Sequence, residues 1–140
     1  SRPAGPNLMR VRAGLLTYWS ADRRARLEQG VNAQSSQGRI SARAVDLFFA
    51  VGSNGAQQIS RALATGNVVV RQGERRGTSE QAEYLAAEGK IVLSGGRPTL
   101  YDASRGTTTG RQLTFFFADD TIVMDSEQGT RTLTRHRVEK

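Results

Sequence analysis

A short apolar unit that recurs down the chain constrains the fold more than any other feature of the sequence. In its last copy, Leu113, Phe115 and Met124 follow one another at steps of two and nine residues. Alternate residues of a strand share one face, and the polar residues 118–121 that separate the two steps are typical of a turn. The unit therefore reads as a β-hairpin with one apolar face.

Three earlier segments repeat this unit. We call the apolar residues at the repeated positions anchors. In the three earlier segments they are Leu16, Tyr18 and Leu27; Val45, Leu47, Phe49 and Leu63; and Ala82, Tyr84 and Leu93. The copy that starts at Val45 carries a longer Gly-rich insertion at residues 52–55. Residues 79–90 have helix-friendly composition, but they align with segments that cannot be helical, so the repeat predicts strands there. One such unit cannot bury its own apolar face, whereas stacked units can.

A glycine follows each return strand, at Gly30, Gly66, Gly96 and Gly129. Further strands follow two of these glycines, at residues 67–72 and 98–102. The pattern predicts an all-β, antiparallel architecture: a folded-over sheet, sandwich, jelly roll or solenoid with about ten or more short strands and little helix. We expect a single domain over residues 8–138, preceded by a disordered tail at residues 1–7.

Composition argues against several classes of function. The chain has no cysteine, and its one histidine, His136, lies between two arginines near the C-terminus. Asp119 and Asp120 fall in a predicted turn, where aspartate is favoured for backbone reasons. We therefore predict a protein that is not an enzyme and has no metal or cofactor. No apolar stretch is long enough for a membrane-spanning helix, and residues 1–7 do not resemble a signal peptide.

The net charge of +7 comes almost entirely from arginine. A basic balance favours anionic partners such as nucleic acid, phospholipid head groups or a phosphorylated glycolipid, although it can also serve solubility alone. Trp19, Phe48 and Phe116 alternate out of phase with the anchors, so they point to the opposite face. If exposed, these three side chains form a candidate contact surface; otherwise another layer covers them.

Two segments resemble the OstA-like family of periplasmic lipopolysaccharide-transport proteins. The first is residues 65–73, Thr-Gly-Asn-Val-Val-Val-Arg-Gln-Gly, and the second runs through residues 93–124, where a Gly-x-Pro strand leads into the last hairpin. The resemblance implies a twisted jelly roll folded like a taco, with a slot between two sheets that binds the acyl chains of lipopolysaccharide. It also implies a periplasmic location, no catalysis, and end-to-end stacking with copies of itself or related transport proteins through the terminal strands, near residues 8–16 and 130–138.

The resemblance and the repeat together predict a lipid-binding slot. Its candidate residues are Leu16, Tyr18, Leu47, Phe49, Val68, Val70, Tyr84, Ile91, Leu93, Leu113, Phe115, Phe117, Ile122 and Met124. Each of them could equally be an ordinary core residue, because a slot is a core left open. Arginines at its rim could pair with lipid phosphates.

Two other functions remain open from the sequence. One is a self-assembling β-repeat protein without a ligand, which predicts a closed, dry interior. The other is a basic nucleic-acid-binding β domain, although no nucleic-acid partner is expected. Arginines at the rim favour lipid, and arginines on one sheet face favour nucleic acid. The arginines that decide between these are Arg12, Arg39, Arg43, Arg71, Arg75, Arg76, Arg97, Arg105 and Arg111.

Overall fold

A computed structural model describes residues 9–36 and 38–125, whose thirteen strands form one antiparallel sheet. The strands are β1 (Met9–Arg12), β2 (Leu15–Trp19), β3 (Arg24–Glu28), β4 (Val31–Ser35), β5 (Gly38–Ala42), β6 (Ala44–Val51), β7 (Gln57–Gln72), β8 (Arg75–Leu85), β9 (Lys90–Ser94), β10 (Thr99–Asp102), β11 (Gly106–Thr109), β12 (Gln112–Phe116) and β13 (Thr121–Asp125). One short 3-10 helix, Ala86–Glu88, joins β8 to β9. The predicted all-β fold class is confirmed. The expected N-terminal tail, Gly129, His136 and the expected C-terminal strand lie outside the described residues.

The sheet is folded across its two longest strands, β7 and β8, into two layers. Layer A contains, in spatial order, β2, β3, β6, the first part of β7, the last part of β8, β9, β12 and β13. Layer B contains β1, β4, β5, the last part of β7, the first part of β8, β10 and β11. Successive hairpins of the chain alternate between the layers, so each repeat contributes to both.

The fold line crosses β7 at a two-residue bulge, Gly66 and Asn67, both of which have positive φ. A Cβ atom at Gly66 would lie 2.8 Å from Cβ of Arg43. The Arg43 amide donates hydrogen bonds to the carbonyls of Thr65 and Gly66, at 3.1 and 2.9 Å. Only glycine combines the left-handed backbone with this close approach, which explains why a glycine follows the return strand here.

The repeat spacing produces straight rows of apolar side chains across layer A. Residues eleven apart pair directly in three hairpins: Leu16 with Leu27, Ala82 with Leu93, and Leu113 with Met124. The prediction of strands across residues 79–90 is confirmed as far as Leu85, where β8 ends. The alternation of the sequence thus becomes one continuous inner face.

The second copy departs from the predicted spacing. Leu63 pairs with Asp46 and shares the outer face with it, so the prediction that Leu63 is an inner anchor is wrong. Ala64 pairs with Val45 and takes the inner position instead. Leu63 lies an even number of residues beyond Val45, whereas paired residues in the other hairpins are an odd number apart. Ala64 keeps the odd separation and therefore pairs with Val45, in a longer hairpin that also carries a bulge beside Phe48.

The two layers make direct contact where β8 of layer B faces β12 of layer A. A Cβ atom built on Gly77 of layer B would lie 2.8 Å from the Phe115 ring and 3.0 Å from Leu113, both in layer A. Phe115 and Leu113 are completely buried, as are Leu93 and Ile122 beside them. This half of the sandwich is therefore a sealed hydrophobic core.

A polar clasp holds the two layers together on the side opposite the fold line. Arg75 and Gln72 lie at the end of layer B, and both are buried. Arg75 donates hydrogen bonds to the Asp120 carbonyl and the Gln72 amide oxygen, each at 3.3 Å, and the Gln72 amide donates to the Asp120 carboxylate, also at 3.3 Å. Asp120 belongs to the β12–β13 turn of layer A, so the clasp joins the two layers at the ends that lie farthest from the fold line.

Within the described ranges, no helix is long and apolar enough to cross a membrane.

Candidate functional site: an apolar groove at the N-terminal end

The inner face changes from sealed to open along the sheet. Leu16 and Tyr18, in β2, stand in the same rows as Leu113 and Phe115 but at the opposite end of layer A. Leu16 is 63% exposed and Tyr18 is 49% exposed, whereas Leu113 and Phe115 are 0% exposed. One row of apolar side chains thus runs from a dry core into solvent.

The open end forms a groove of about 340 Å³ between the two layers. Its walls are made by Val11, Leu16, Tyr18, Ala25, Leu27, Leu47 and Phe49. All seven are apolar apart from the Tyr18 hydroxyl, and the volume lies at the lower end of the range for small-molecule sites. Such a groove provides apolar surface without a charged or catalytic group.

The groove is open because the sheet ends there. Among the described residues, β1 pairs only with β4, and β2 pairs only with β3. Tyr18 is held in place by an edge-to-face contact with Phe49, at 6.2 Å between ring centroids, and by a 3.2 Å hydrogen bond that Gln57 donates to its hydroxyl. Tyr18 is therefore held by contacts within the chain, although about half of its surface faces solvent.

The fourteen candidate residues from the sequence all lie on the inner faces, but they divide into three groups. Eight are buried in the core: Val68, Val70, Ile91, Leu93, Leu113, Phe115, Ile122 and Met124. Four line the groove: Leu16, Tyr18, Leu47 and Phe49. The other two, Tyr84 and Phe117, are half-buried and pack against each other with ring centroids 6.1 Å apart.

Three groove residues were not among the candidates. Leu27 was identified as a repeat anchor, and Ala25 precedes it by the two residues that keep it on the same face. Val11 alternates with Arg10 and Arg12 in β1, a signal too short to separate from a surface segment. Its place in the groove comes from pairing with Ala33 in layer B.

The arginines do not gather around the groove. Arg12, Arg39, Arg71 and Arg76 lie on the outer face of layer B, a placement that the sequence argument associated with nucleic acid and not with a lipid rim. Arg75 is buried in the clasp, and Arg43 lies on the fold line. The others, Arg97, Arg105 and Arg111, lie in connections between strands.

Trp19, Phe48 and Phe116 point to the outer face of layer A, as their phase predicts. Each is half-buried beneath a cation of the neighbouring strand: Arg24 lies 4.4 Å above Trp19, Arg61 lies 4.8 Å above Phe48, and Lys90 lies 5.9 Å above Phe116. These cation–π pairs cover the aromatic rings. The three residues therefore do not form an open apolar contact surface.

No arrangement of metal ligands is found where the structure is described: residues 9–36 and 38–125 contain no cluster of three or more His, Cys, Asp or Glu side chains that could hold an ion. The pKa of Arg26 is raised, chiefly by hydrogen bonds to Glu28 and Asp46 on the outer face of layer A. That group lies on the opposite face of β3 from the groove residues Ala25 and Leu27, and it stays cationic at physiological pH.

Comparison with known proteins bears on the fold. No protein-family model and no curated protein sequence matches the chain. Among solved structures, it is similar to LptH from Pseudomonas aeruginosa, described as the LptA-homologous periplasmic component of the lipopolysaccharide transport device. The TM-score is 0.71 over 95% of each chain, with 12% sequence identity. The chain therefore has an LptA-like fold; identity this low establishes the fold alone.

Proposed function

We propose that this chain is a non-enzymatic carrier or bridge domain for lipopolysaccharide in the periplasm, and that the groove receives a lipid acyl chain. The observation that carries the proposal is the single row of inner residues that is sealed at Leu113 and exposed at Leu16. The fold shared with LptH and the resemblance of residues 65–73 and 93–124 to the OstA-like family support it.

The energetics of the groove suit a hydrocarbon ligand. Each methylene transferred from water to an apolar site gains about 0.8 kcal/mol. Tyr18 is already held by Phe49 and Gln57 while half-exposed to solvent, so a ligand covers its ring without a large loss of side-chain freedom. A self-assembling repeat protein without a ligand would instead favour a closed interior at this end.

The same end presents two strand edges, which supports a bridging role. β1 and β2 each have one partner strand among the described residues, and β2, Leu15–Trp19, contains no proline or lysine to block pairing. A second copy or a related transport protein that added strands to both edges would continue the apolar rows. The groove would then become part of a longer slot.

Two neighbouring leucines of β2 provide a matched test of lipid binding. Leu16 faces the groove and Leu15 faces the outside; both are exposed, at 63% and 44%. The affinity for lipopolysaccharide is measured by displacement of a fluorescent fatty-acid probe. We expect Leu16→Gln to lower this affinity about 5- to 30-fold, since it removes about 1–2 kcal/mol of apolar contact. Leu15→Gln should change the affinity less than about threefold, and neither variant should alter thermal stability appreciably.

Equal effects of the two substitutions would contradict the assignment of the groove. Failure of the unmodified protein to bind either lipopolysaccharide or the fatty-acid probe would refute the carrier function as a whole. Binding of the probe alone, without displacement by lipopolysaccharide, would leave an acyl-binding protein with a different cargo.

Edge pairing is tested by adding charge to β2. Thr17→Lys places a cation on the outer side of this edge strand, whereas Thr114→Lys places one on the outer face of β12, which has strands on both sides. We expect sedimentation velocity to show concentration-dependent oligomers of the unmodified protein that Thr17→Lys reduces and Thr114→Lys does not. Monomers at all concentrations would rule out self-stacking through this edge.

A further inference from the structure

Five arginines lie on the outer face of layer B, in two rows that cross its strands. The first row runs through Arg10, Gln34, Arg39, Arg71, Arg76, Tyr101 and Thr107. The second runs through Arg12, Asn32, Ser41, Val69, Thr78, Thr99 and Thr109. Each neighbouring pair in a row is directly opposed across two strands, so these side chains share one face.

The charge on this face is all of one sign. None of the fourteen residues in the two rows is acidic. The outer face of layer A, by contrast, places Glu28, Asp46 and Glu83 among its arginines, and Arg26 and Arg61 form ion pairs with them at 2.6–2.8 Å. Among the described residues, the outer face of layer B therefore carries arginines without neighbouring carboxylates in its rows, whereas the outer face of layer A pairs cations with acids.

Four of these arginines are exposed: Arg10, Arg12, Arg39 and Arg71. At about 4.8 Å per strand, Arg10 and Arg76 lie about 19 Å apart along the first row, with Arg39 and Arg71 on adjacent strands between them. Like charges opposed directly across a strand pair are mutually destabilising. Keeping Arg39, Arg71 and Arg76 side by side without a carboxylate in either row is costly unless an anion neutralises them.

Arg10, Arg12 and Arg39 line neither the apolar groove nor the shallow depression at one end of the cationic face. This depression, of about 270 Å³, is lined by Arg71, Arg76 and Tyr101, but Glu74 and Asp102 also line it. A small anion would meet those carboxylates. The acid-free part of the face, from Arg10 to Arg71, carries guanidinium, amide and hydroxyl groups and the side chain of Val69.

We propose that the outer face of layer B is a docking surface for an anionic phospholipid bilayer. Guanidinium groups pair with phosphates as bidentate donors, and five of them on one sheet face, spread over about 19 Å, can contact several head groups at once. The face carries little apolar surface to insert, so binding is electrostatic and reversible. The proposal is independent of the acyl groove, which opens between the layers and not on this face.

Nucleic acid is less well suited to this face. Single-stranded nucleic acid stacks successive bases on several aromatic rings, whereas the two rows contain one aromatic residue, Tyr101, whose ring has the Arg76 guanidinium 4.2 Å from its centroid. The major groove of duplex DNA, in which all four base pairs are distinguishable, admits a helix or a two-stranded ribbon, and a sheet face seven strands wide is too broad to enter it. The face therefore provides phosphate recognition without base recognition.

The test compares two double variants with equal loss of charge. Arg39→Gln/Arg71→Gln removes two cations from the face, and Arg23→Gln/Arg111→Gln removes two exposed cations outside it. Binding is measured by co-sedimentation with vesicles of phosphatidylcholine containing about one quarter phosphatidylglycerol, at low ionic strength. We expect the face variant to bind about 25-fold more weakly, about fivefold for each arginine, and the control variant to change less than about threefold.

Vesicles of phosphatidylcholine alone should not bind the protein, and added salt should release it from the anionic vesicles. Leu16→Gln should bind anionic vesicles like the unmodified protein, which separates this surface from the groove. Equal losses in the two double variants, or no binding by the unmodified protein, would overturn the proposal. It would also be overturned if an oligonucleotide displaced the protein at phosphate concentrations well below those of the lipid, since the face would then belong to nucleic acid.

Discussion

Gly77 gives the most direct test of how the two layers meet. It lies within β8 on the inner side of layer B, and its Cβ position is 2.8 Å from one carbon of the Phe115 ring and 3.0 Å from a Leu113 methyl group. Carbon atoms in favourable contact lie about 3.5–4.0 Å apart, so an alanine would force the layers or the ring to move by about 0.7 Å. Phe115 is fully buried, and protein interiors contain few voids into which a ring can move.

Gly77→Ala therefore sets two effects against each other. Overpacking a core costs about 1–3 kcal/mol, whereas replacing glycine at a backbone conformation that alanine accepts stabilises by about 0.4–1 kcal/mol through the unfolded state. We expect a net loss of about 1–2 kcal/mol in the free energy of unfolding. For a chain of 140 residues this corresponds to a fall in Tm of about 3–8 °C.

Urea denaturation followed by circular dichroism measures this loss, with Gly52→Ala as the control. The contact at Gly52 is with the flexible end of the Gln58 side chain, which can move aside. Combining Gly77→Ala with Phe115→Leu should recover about 1 kcal/mol or more relative to the sum of the single changes, because the smaller side chain removes the closer of the two contacts. A Gly77→Ala variant as stable as the unmodified protein, or strictly additive effects, would refute the contact between the layers.

Three further predictions concern the fold line, the clasp and the outer face. Gly66→Ala should destabilise more than Gly55→Ala in thermal melts: both glycines have positive φ, but only at Gly66 would the new Cβ meet Arg43, at 2.8 Å, so equal losses would contradict the steric role of the fold line. Arg75→Met should lower the free energy of unfolding by about 1–3 kcal/mol and speed amide hydrogen exchange in the β12–β13 turn, whereas Arg105→Met should lower it by less than about 0.5 kcal/mol. Unchanged exchange would mean that the clasp does not hold the two layers together. The pKa of Arg26 is raised in the folded state by Glu28 and Asp46, so its stabilisation is fully present below its ordinary pKa and is lost only as the pH rises through the raised value. The cost of Arg26→Met, below about 1 kcal/mol for this half-exposed group, should therefore be the same at about pH 7 and about pH 9 in urea melts, and a smaller cost at the higher pH would contradict this.

The aromatic and basic residues show that the sequence predicts the sheet face on which a side chain lies more easily than it predicts the side chains that surround it. The phase of Trp19, Phe48 and Phe116 places them on the outer face, and pairing across strands confirms this. Their cover comes from Arg24, Arg61 and Lys90, which stand on adjacent strands and not beside them in the sequence. The first cationic row of layer B likewise combines Arg39, Arg71 and Arg76 from three strands, so no local sequence pattern predicts that they lie side by side.

The sequence by itself determined the hairpin register and the inner face. Residues eleven apart pair because the number of residues in a short hairpin fixes which ones are opposed, and the alternation of apolar residues then decides which side is buried. Where an insertion lengthened the hairpin, as at Leu63, the same reasoning chose the wrong face. Register is local, and it is lost when the loop between the strands changes.

Only the tertiary structure decided where the apolar face is sealed and where it is open. Leu16 and Leu113 hold equivalent places in their repeats, yet one is 63% exposed and the other is fully buried. The difference arises because Leu113 has strands on both sides and the opposite layer pressed against it at Gly77, whereas Leu16 stands on the last strand of its layer. Burial depends on what covers a side chain from other parts of the chain, and a repeat that gives each copy the same residues cannot encode it.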